Sequence, residues 1–325
     1  MDNKVNFFII GQPKTGTTSI YHYLKKHPQI YLPEQKQLHH FASDHNQYRQ
    51  QFKSLNRAYY KKYYNYTYAS YIKRFNFSTN KNIYGDITPD YFYSDEAPEN
   101  IYNYNKNSHI IAIIREPLDF LKSFHLQMIN SGDEKEKDFF KALKLEKKRS
   151  VRNIMQSKYC PNVFFEYSKL INYESSIDNY YKLFGKKFKV IIYEDFKKNN
   201  QLYLNEILNF LSLEPMFFDK IIRTNISHHK SGKLRSIKKL YLLRLISSLI
   251  PWSMKNSFKR LTDKKHRMKV DEVNRALSMD EIELKRDFME RVEDLNVFLN
   301  ENNLILGERK VDLMKKWGYD KLSWI

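Results

Sequence analysis

The residues with the clearest chemistry lie near the start of the chain. Gly11-Gln12-Pro13-Lys14-Thr15-Gly16-Thr17-Thr18-Ser19 gathers two glycines, one lysine and four hydroxyls into nine residues, between an apolar run and a helical pattern. A strand feeding such a loop and then a helix start makes an anion site. Main-chain amides converge there, and the helix dipole adds positive potential. Gly11 and Gly16 have the spacing of the triphosphate-binding loop G-x-x-x-x-G-K-[ST], but Thr17 stands where that loop carries its lysine. The lysine comes two residues before Gly16, as Lys14. It would approach from the loop's front, beside a terminal group on a 5′ phosphate, with Thr17, Thr18 and Ser19 adding hydroxyl donors. No acidic strand end suited to Mg²⁺ accompanies the loop, which disfavours kinase or ATPase chemistry.

A second cation ends a second apolar run. His109–Ile114 leads into Arg115-Glu116-Pro117, with Ser123 eight residues after Arg115. An arginine at a strand's carboxyl end offers a planar fork for a phosphate, and a serine on the next helix adds a hydroxyl. Arg-Glu-Pro alone would equally suit an internal Arg115–Glu116 pair; its place after a buried strand favours the anion reading. Lys230-Ser231-Gly232-Lys233-Leu234-Arg235 reads either as a basic glycine-containing loop or as a solvated charge run.

These groups need a frame, and the apolar runs predict one. Val5–Ile10, His109–Ile114 and Phe188–Tyr193 read as buried strands, and Ile83–Asp86 as a short one. Helices are expected over Thr17–Lys26, stopped before Pro28, then from about Leu118 to Ile129, and over Leu202–Leu211. Tyr48–Phe77 reads as helical with a poor period, and Ser131–Arg149 as a solvated helix with its entry loop. Ile237–Lys269 is basic and helical, and Met279–Asn300 amphipathic. Apolar strands alternating with helices indicate an α/β fold with a mostly parallel sheet covered on both faces. No Gly-, Ser- or Pro-rich linker interrupts the chain, so 1–325 is expected to be one domain with a helical C-terminal part, the basic segment 237–275 included.

Composition sets outer bounds. The chain has 325 residues, of which 42% are hydrophobic, with 25 Tyr and 22 Phe, and so can bury a sizeable core. A single cysteine, Cys160, excludes an internal disulfide and suits a reducing cytoplasm. The first residues resemble no signal peptide, and Leu240–Trp252 is too short and too interrupted to span a bilayer. A soluble or membrane-surface protein is expected. The net charge of +19 points to an anionic partner, or to a lysine-rich composition without further meaning. No nucleic-acid module is recognisable, so no nucleic-acid partner is expected. The basic stretch 237–269 would serve as a membrane-surface helix reaching a lipid-linked acceptor, or as a packed helix with solvated lysines.

Pro13-Lys14-Thr15-Gly16-Thr17-Thr18-Ser19 resembles the 5′-phosphosulfate loop of the sulfotransferases that use 3′-phosphoadenosine 5′-phosphosulfate (PAPS). The resemblance is greater to the carbohydrate branch, with the heparan sulfate enzymes and bacterial relatives, than to the phenol and steroid branch. It implies a P-loop-containing nucleotide-hydrolase-like fold, PAPS as sulfuryl donor and no metal. It also implies the 3′-phosphate site at Arg115 and Ser123, and a closing loop at Lys230, Gly232 and Lys233. Gly85-Asp86-Ile87-Thr88-Pro89-Asp90-Tyr91-Phe92 is similar to the segment lining the family's acceptor cleft, and Leu322-Ser323-Trp324 to its C-terminal ending.

The family's acceptor-side motif, Lys-Glu-x-His-x-Phe, is matched by Lys36-Gln37-Leu38-His39-His40-Phe41, with glutamine in place of the glutamate taken as general base. A neutral amide positions an acceptor but accepts no proton at working pH. His39 is the preferred substitute base, with His40, Glu34 and Asp86 as alternatives. Lys36, Gln37, His40 and Asp86 are expected on the acceptor side, and Lys14 at the transferring group. The expected reaction moves a sulfuryl group from PAPS to a hydroxyl or amine, with a saccharide or glycolipid favoured as acceptor by the resemblance. Two other readings stand beside it: a polyanion- or nucleic-acid-binding protein, and a family member that binds nucleotide without transferring.

Overall fold

The computed structural model of the chain describes residues 4–45, 67–79, 81–152, 161–218 and 277–324. Five strands form one sheet: β1 (Phe7–Gly11), β2 (Ile30–Tyr31), β3 (Ile83–Ile87), β4 (His109–Ile114) and β5 (Phe188–Ile192). Their spatial order is β2-β3-β1-β4-β5, and every pairing among them is parallel. Phe7 lies opposite both Gly85 and His109, and Ile110 opposite Phe188. From β1 the chain goes to the edge strand β2, returns inward to β3 beside β1, and then crosses to β4 on the other side. The carboxyl ends of β1 and β4 therefore flank the topological switch point, where open α/β sheets hold ligands.

Alternation along the strands fills two apolar layers. Phe8, Ile10, Ile110, Ala112, Ile114, Val190 and Ile192 belong to one core cluster, which takes in α2 (Ala97–Tyr104), α3 (Pro117–Ser131), α5 (Tyr173–Phe184) and α8 (Met279–Glu301). Phe7, Ile9, Ile111, Ile113 and Ile191 face the other, against α1 (Thr17–Leu24) and α7 (Asn200–Phe210). Burial on both faces is why these strands read as apolar runs, broken only at the half-buried Lys189 of β5. The C-terminal part joins the same core. A Ser278–Glu281 capping box starts α8, and Leu304 and Leu306 pair with Val190 at 2.8 and 2.9 Å, covering the outer edge of β5.

The strands fall where the apolar runs place them, with shifts at the ends. β1 runs from Phe7 through Gly11, and Tyr193 opens a helix, α6 (Tyr193–Lys198), instead of ending β5. Glu194 and Asp195 in that first turn suit the positive end of a helix. Within the charged stretch after Ser131, α4 (Phe139–Arg152) forms and buries Ala142. α2 and α5 lie outside the expected helices, although their buried residues recur at helical spacing, Ala97 and Ile101 in α2 and Tyr173, Ile177, Tyr180 and Phe184 in α5. Of Tyr48–Phe77 only the end is described, with a short helix at Tyr68–Ile72; the basic stretch 237–269 lies outside the described residues.

Candidate active site

β1 ends at Gly11 because only glycine fits there. Its φ is +130°, and a Cβ would stand 2.3 Å from the Ile113 carbonyl oxygen on β4. The chain then turns through Gln12–Gly16 into α1. Gly16 holds a left-handed conformation (φ 77°) at the helix start, with Tyr193 and Phe196 of α6 behind it. The Thr15 hydroxyl donates to the Gln12 carbonyl at 2.6 Å, and the amides of Ser19 and Ile20 return to the Gly16 carbonyl at 2.8 and 3.2 Å. First-turn amides ahead of those bonds have no acceptor within the helix, which is the local condition for an anion site. Lys14 itself is left-handed (φ 74°), strain of the kind kept at functional sites. Burial, together with the nearby Arg115, holds the Lys14 ammonium below its ordinary pKa. Two cations held close together at a loop of amides are a standing invitation to an anion.

Arg115 reaches that position because β4 delivers it beside the loop. Its amide donates to Gln12 Oε1 at 2.5 Å, so the fully buried Gln12 ties the loop to the Arg115 corner. The guanidinium lies over the Tyr193 ring (5.1 Å), 3.3 Å from Asp119 and 4.0 Å from Glu194. Glu194 is fixed by the Trp317 indole at 2.9 Å and the Glu116 amide at 3.3 Å, and burial raises its pKa. Glu116 caps α3 through the Asp119 amide, accepts from the Tyr319 hydroxyl at 2.8 Å and faces Lys285 at 3.5 Å. The C-terminal segment thus braces the arginine corner from behind. Ser123 is half-buried on α3, eight residues beyond Arg115.

The acceptor-side motif folds back onto the loop. The Lys36 ammonium donates to the hydroxyls of Thr17 at 2.9 Å and Thr18 at 3.1 Å. Burial pulls its pKa down to about 7, against a smaller upward pull from Asp90. Lys36, expected among the acceptor contacts, is bonded to two hydroxyls of the loop and helix start that follow β1. Gln37 and His39 are both left-handed, with φ of 61° and 54°. His39 is 8% exposed, and its Nδ1 lies 3.3 Å from Asp90 Oδ2. His40 stacks on Tyr71, ring centroids 4.5 Å apart.

Asp86 differs from its expected place among the acceptor contacts, because it is fully buried at the end of β3. Its carboxylate accepts from the hydroxyls of Thr88 (2.7 Å), Tyr91 (3.0 Å) and Tyr71 (3.3 Å), while burial raises its pKa to about 6. Thr88 Oγ1 in turn accepts from the Leu38 amide at 2.9 Å, and the Tyr91 hydroxyl from the Phe41 amide at 3.4 Å. Asp86 holds the backbone of the motif through two hydroxyls. Lys14, Arg115 and Lys36 come together around the loop; Lys230, Gly232 and Lys233 lie outside the described residues. Gln12 and Asp90 escaped the sequence reading: neither carries a signal beyond being polar next to a buried strand or a proline.

The geometry has its counterpart among known proteins. The model described as "Sulfotransferase family" matches residues 6–219. The chain belongs to the sulfotransferase family. The match contains Lys14, Lys36, His39 and Arg115 and stops before Lys230. Human heparan sulfate glucosamine 3-O-sulfotransferase 5 is 29% identical over 137 residues, 42% of this chain and 34% of that protein. The membrane-associated sulfotransferase kil1 of Dictyostelium discoideum is 27% identical over 124 residues, 38% of this chain and 23% of that protein. The chain thus covers about a third or less of the length of these relatives. A sulfotransferase from Alicyclobacillus acidocaldarius shares the fold, with a TM-score of 0.63 at 19% identity over 91% of this chain and 96% of that one.

Proposed function

We propose that this sulfotransferase takes the sulfuryl group from PAPS and passes it to a hydroxyl, or an amine, of a saccharide or glycolipid. The observation that carries this reading is the meeting of Lys14, Lys36 and Arg115 at one glycine-bearing loop. A donor with charge at both its 5′ and 3′ ends suits that set, with the phosphosulfate at Lys14 and Lys36 and the 3′ phosphate at Arg115 and Ser123. Similarity to the human relative, a heparan sulfate glucosamine 3-O-sulfotransferase, supports a saccharide acceptor. No described helix is long and apolar enough to cross a membrane.

In this reading the acceptor oxygen attacks sulfur in line. The new O–S bond forms as the bond from sulfur to the bridging oxygen breaks, and its electron pair stays on the departing 5′ phosphate. His39 takes the acceptor's proton. Lys14 and Lys36, with the loop amides, meet the charge that grows on the bridging and equatorial oxygens. Calorimetry with 3′-phosphoadenosine 5′-phosphate (PAP), followed by a radiolabelled-sulfate screen over a glycan library, tests the proposal. Binding and transfer are the expected results. Binding without transfer to any glycan would favour the nucleotide-binding reading that Gln37 suggests, and no binding would overturn both.

A further inference from the structure

The loss of the motif's glutamate leaves the acceptor side with an imidazole, and the structure pairs that imidazole with a carboxylate. Asp90 is the second residue of the 3₁₀ turn Pro89–Tyr93 that follows β3. Its Oδ2 lies 3.3 Å from His39 Nδ1, with the two side chains only 16% and 11% exposed. This is ion-pair distance; acid–base pairs without substrate are often loose and tighten in the complex. The same carboxylate acts on Lys36, where it opposes the effect of burial on the ammonium seated on Thr17 and Thr18.

We propose that Asp90 is the positioning residue of the acceptor side, orienting His39 to take the acceptor's proton while it steadies Lys36 at the sulfuryl group; this rests on the reading of His39 as base. A carboxylate at Nδ1 keeps the proton on that nitrogen, leaves Nε2 basic and stabilises the imidazolium that forms. The neutral Gln37 offers no such charge, and Asp86 is committed to three hydroxyls.

The backbone supports this pairing. His39 sits in a left-handed conformation that a non-glycine residue keeps only where its surroundings fix it. The fixing bonds are the Gln37 amide to the Ile87 carbonyl at 3.2 Å and the Leu38 amide to Thr88 Oγ1 at 2.9 Å. Ile87 and Thr88 directly precede the turn that carries Asp90. One junction therefore sets the register of both partners. The titratable groups facing Asp90 include His39, Lys36 and the phenol of Tyr93.

The test compares full-length wild type with Asp90→Asn and Asp90→Glu. The His39 ring is titrated by NMR in the PAP complex, its resonance assigned with His39→Ala. Removing an opposite charge at this distance should lower the His39 pKa by about one unit or more, and Asp90→Glu should restore it. In radiolabelled transfer from PAPS to the best glycan of the library, Asp90→Asn should lower kcat by on the order of 10-fold to 10²-fold. It should also move the acid limb of kcat/KM to lower pH. PAP affinity at pH 6 should stay within about twofold of wild type, reporting an intact donor loop; Asp90→Ser replaces Asp90→Asn if the latter does not fold. An unchanged His39 pKa in a folded Asp90 variant overturns the pairing. Full turnover with an unaltered acid limb in His39→Ala instead overturns the reading of His39 as base, whatever Asp90 does to the ring.

Discussion

Two regions of this site, the loop between β1 and α1 proposed to hold the donor and the segment 36–41 proposed to face the acceptor, are built differently. The loop is one contiguous run, and the groups it offers an anion are main-chain amides and a lysine that the turn itself presents. The segment 36–41 is assembled across distance. Residues 36–41 keep two left-handed conformations because hydroxyls of Thr88 and Tyr91, anchored on buried Asp86, hold their backbone. A cradle of amides has little to titrate, whereas burial brings Lys36 down to about 7 and Asp86 up to about 6. Charge stabilisation should therefore fail in an all-or-none way when the loop is altered, and proton handling should fail by degrees.

The largest effect expected is at the loop. Lys14→Ala should reduce transfer by on the order of 10²–10³, as for other preorganised donors to a developing negative charge. Single-turnover measurement reads this, and near-normal turnover would remove the donor side from the chemistry.

Lys36 gives the next, smaller effect and joins the two sides. With a pKa near 7 it is largely uncharged above that pH, and an anion at the loop raises its pKa again. PAP binding should then take up a proton above pH 7, and affinity should fall with rising pH by at most about tenfold per unit. Calorimetry in buffers of different ionisation enthalpy counts the proton. Lys36→Met should abolish both the uptake and this part of the pH dependence.

The smallest effect belongs to Asp86. Its folded-state pKa, about 6, lies above the ordinary aspartate value of 3.8, so the folded protein holds this proton more tightly than the unfolded chain. Its contribution favours folding below the ordinary value and is lost as pH rises through about 6. Denaturant titrations at several pH values should show wild type losing stability relative to Asp86→Asn between about pH 4 and 6. The difference should be no more than about 1.4 kcal/mol per pH unit. A pH-independent difference would mean that Asp86 does not titrate in this window.

Much of this was legible in the sequence, for identifiable reasons. β1 and β4 are buried on both faces and their apolar runs are unbroken, β5 is interrupted only by the half-buried Lys189, and the expected bounds of β4 are the observed ones. β3 is expected over Ile83–Asp86 and ends one residue later, at Ile87, just before Thr88-Pro89. At Gly85 a Cβ would stand 2.6 Å from the Leu32 Cδ2 methyl, and the three hydroxyls on Asp86 oppose the effect of its burial without cancelling it. α5 is not among the expected helices, although its buried Tyr173, Ile177, Tyr180 and Phe184 recur at helical steps of four, three and four residues, so its signal is present in the sequence.

By itself the sequence determined the loop, its displaced lysine, the arginine that ends β4 and the parallel α/β frame. Those features rest on local rules: a turn needs its glycines, and a strand covered on both faces needs an apolar run. Only the tertiary structure decided that Lys36 joins the loop, that Asp86 is buried as a backbone anchor, that Gln12 bridges two strand ends and that Asp90 meets His39. Each of these is a contact between segments far apart in the chain or set by a turn's geometry, and burial and charge proximity come into being only when the sheet brings those segments to one edge.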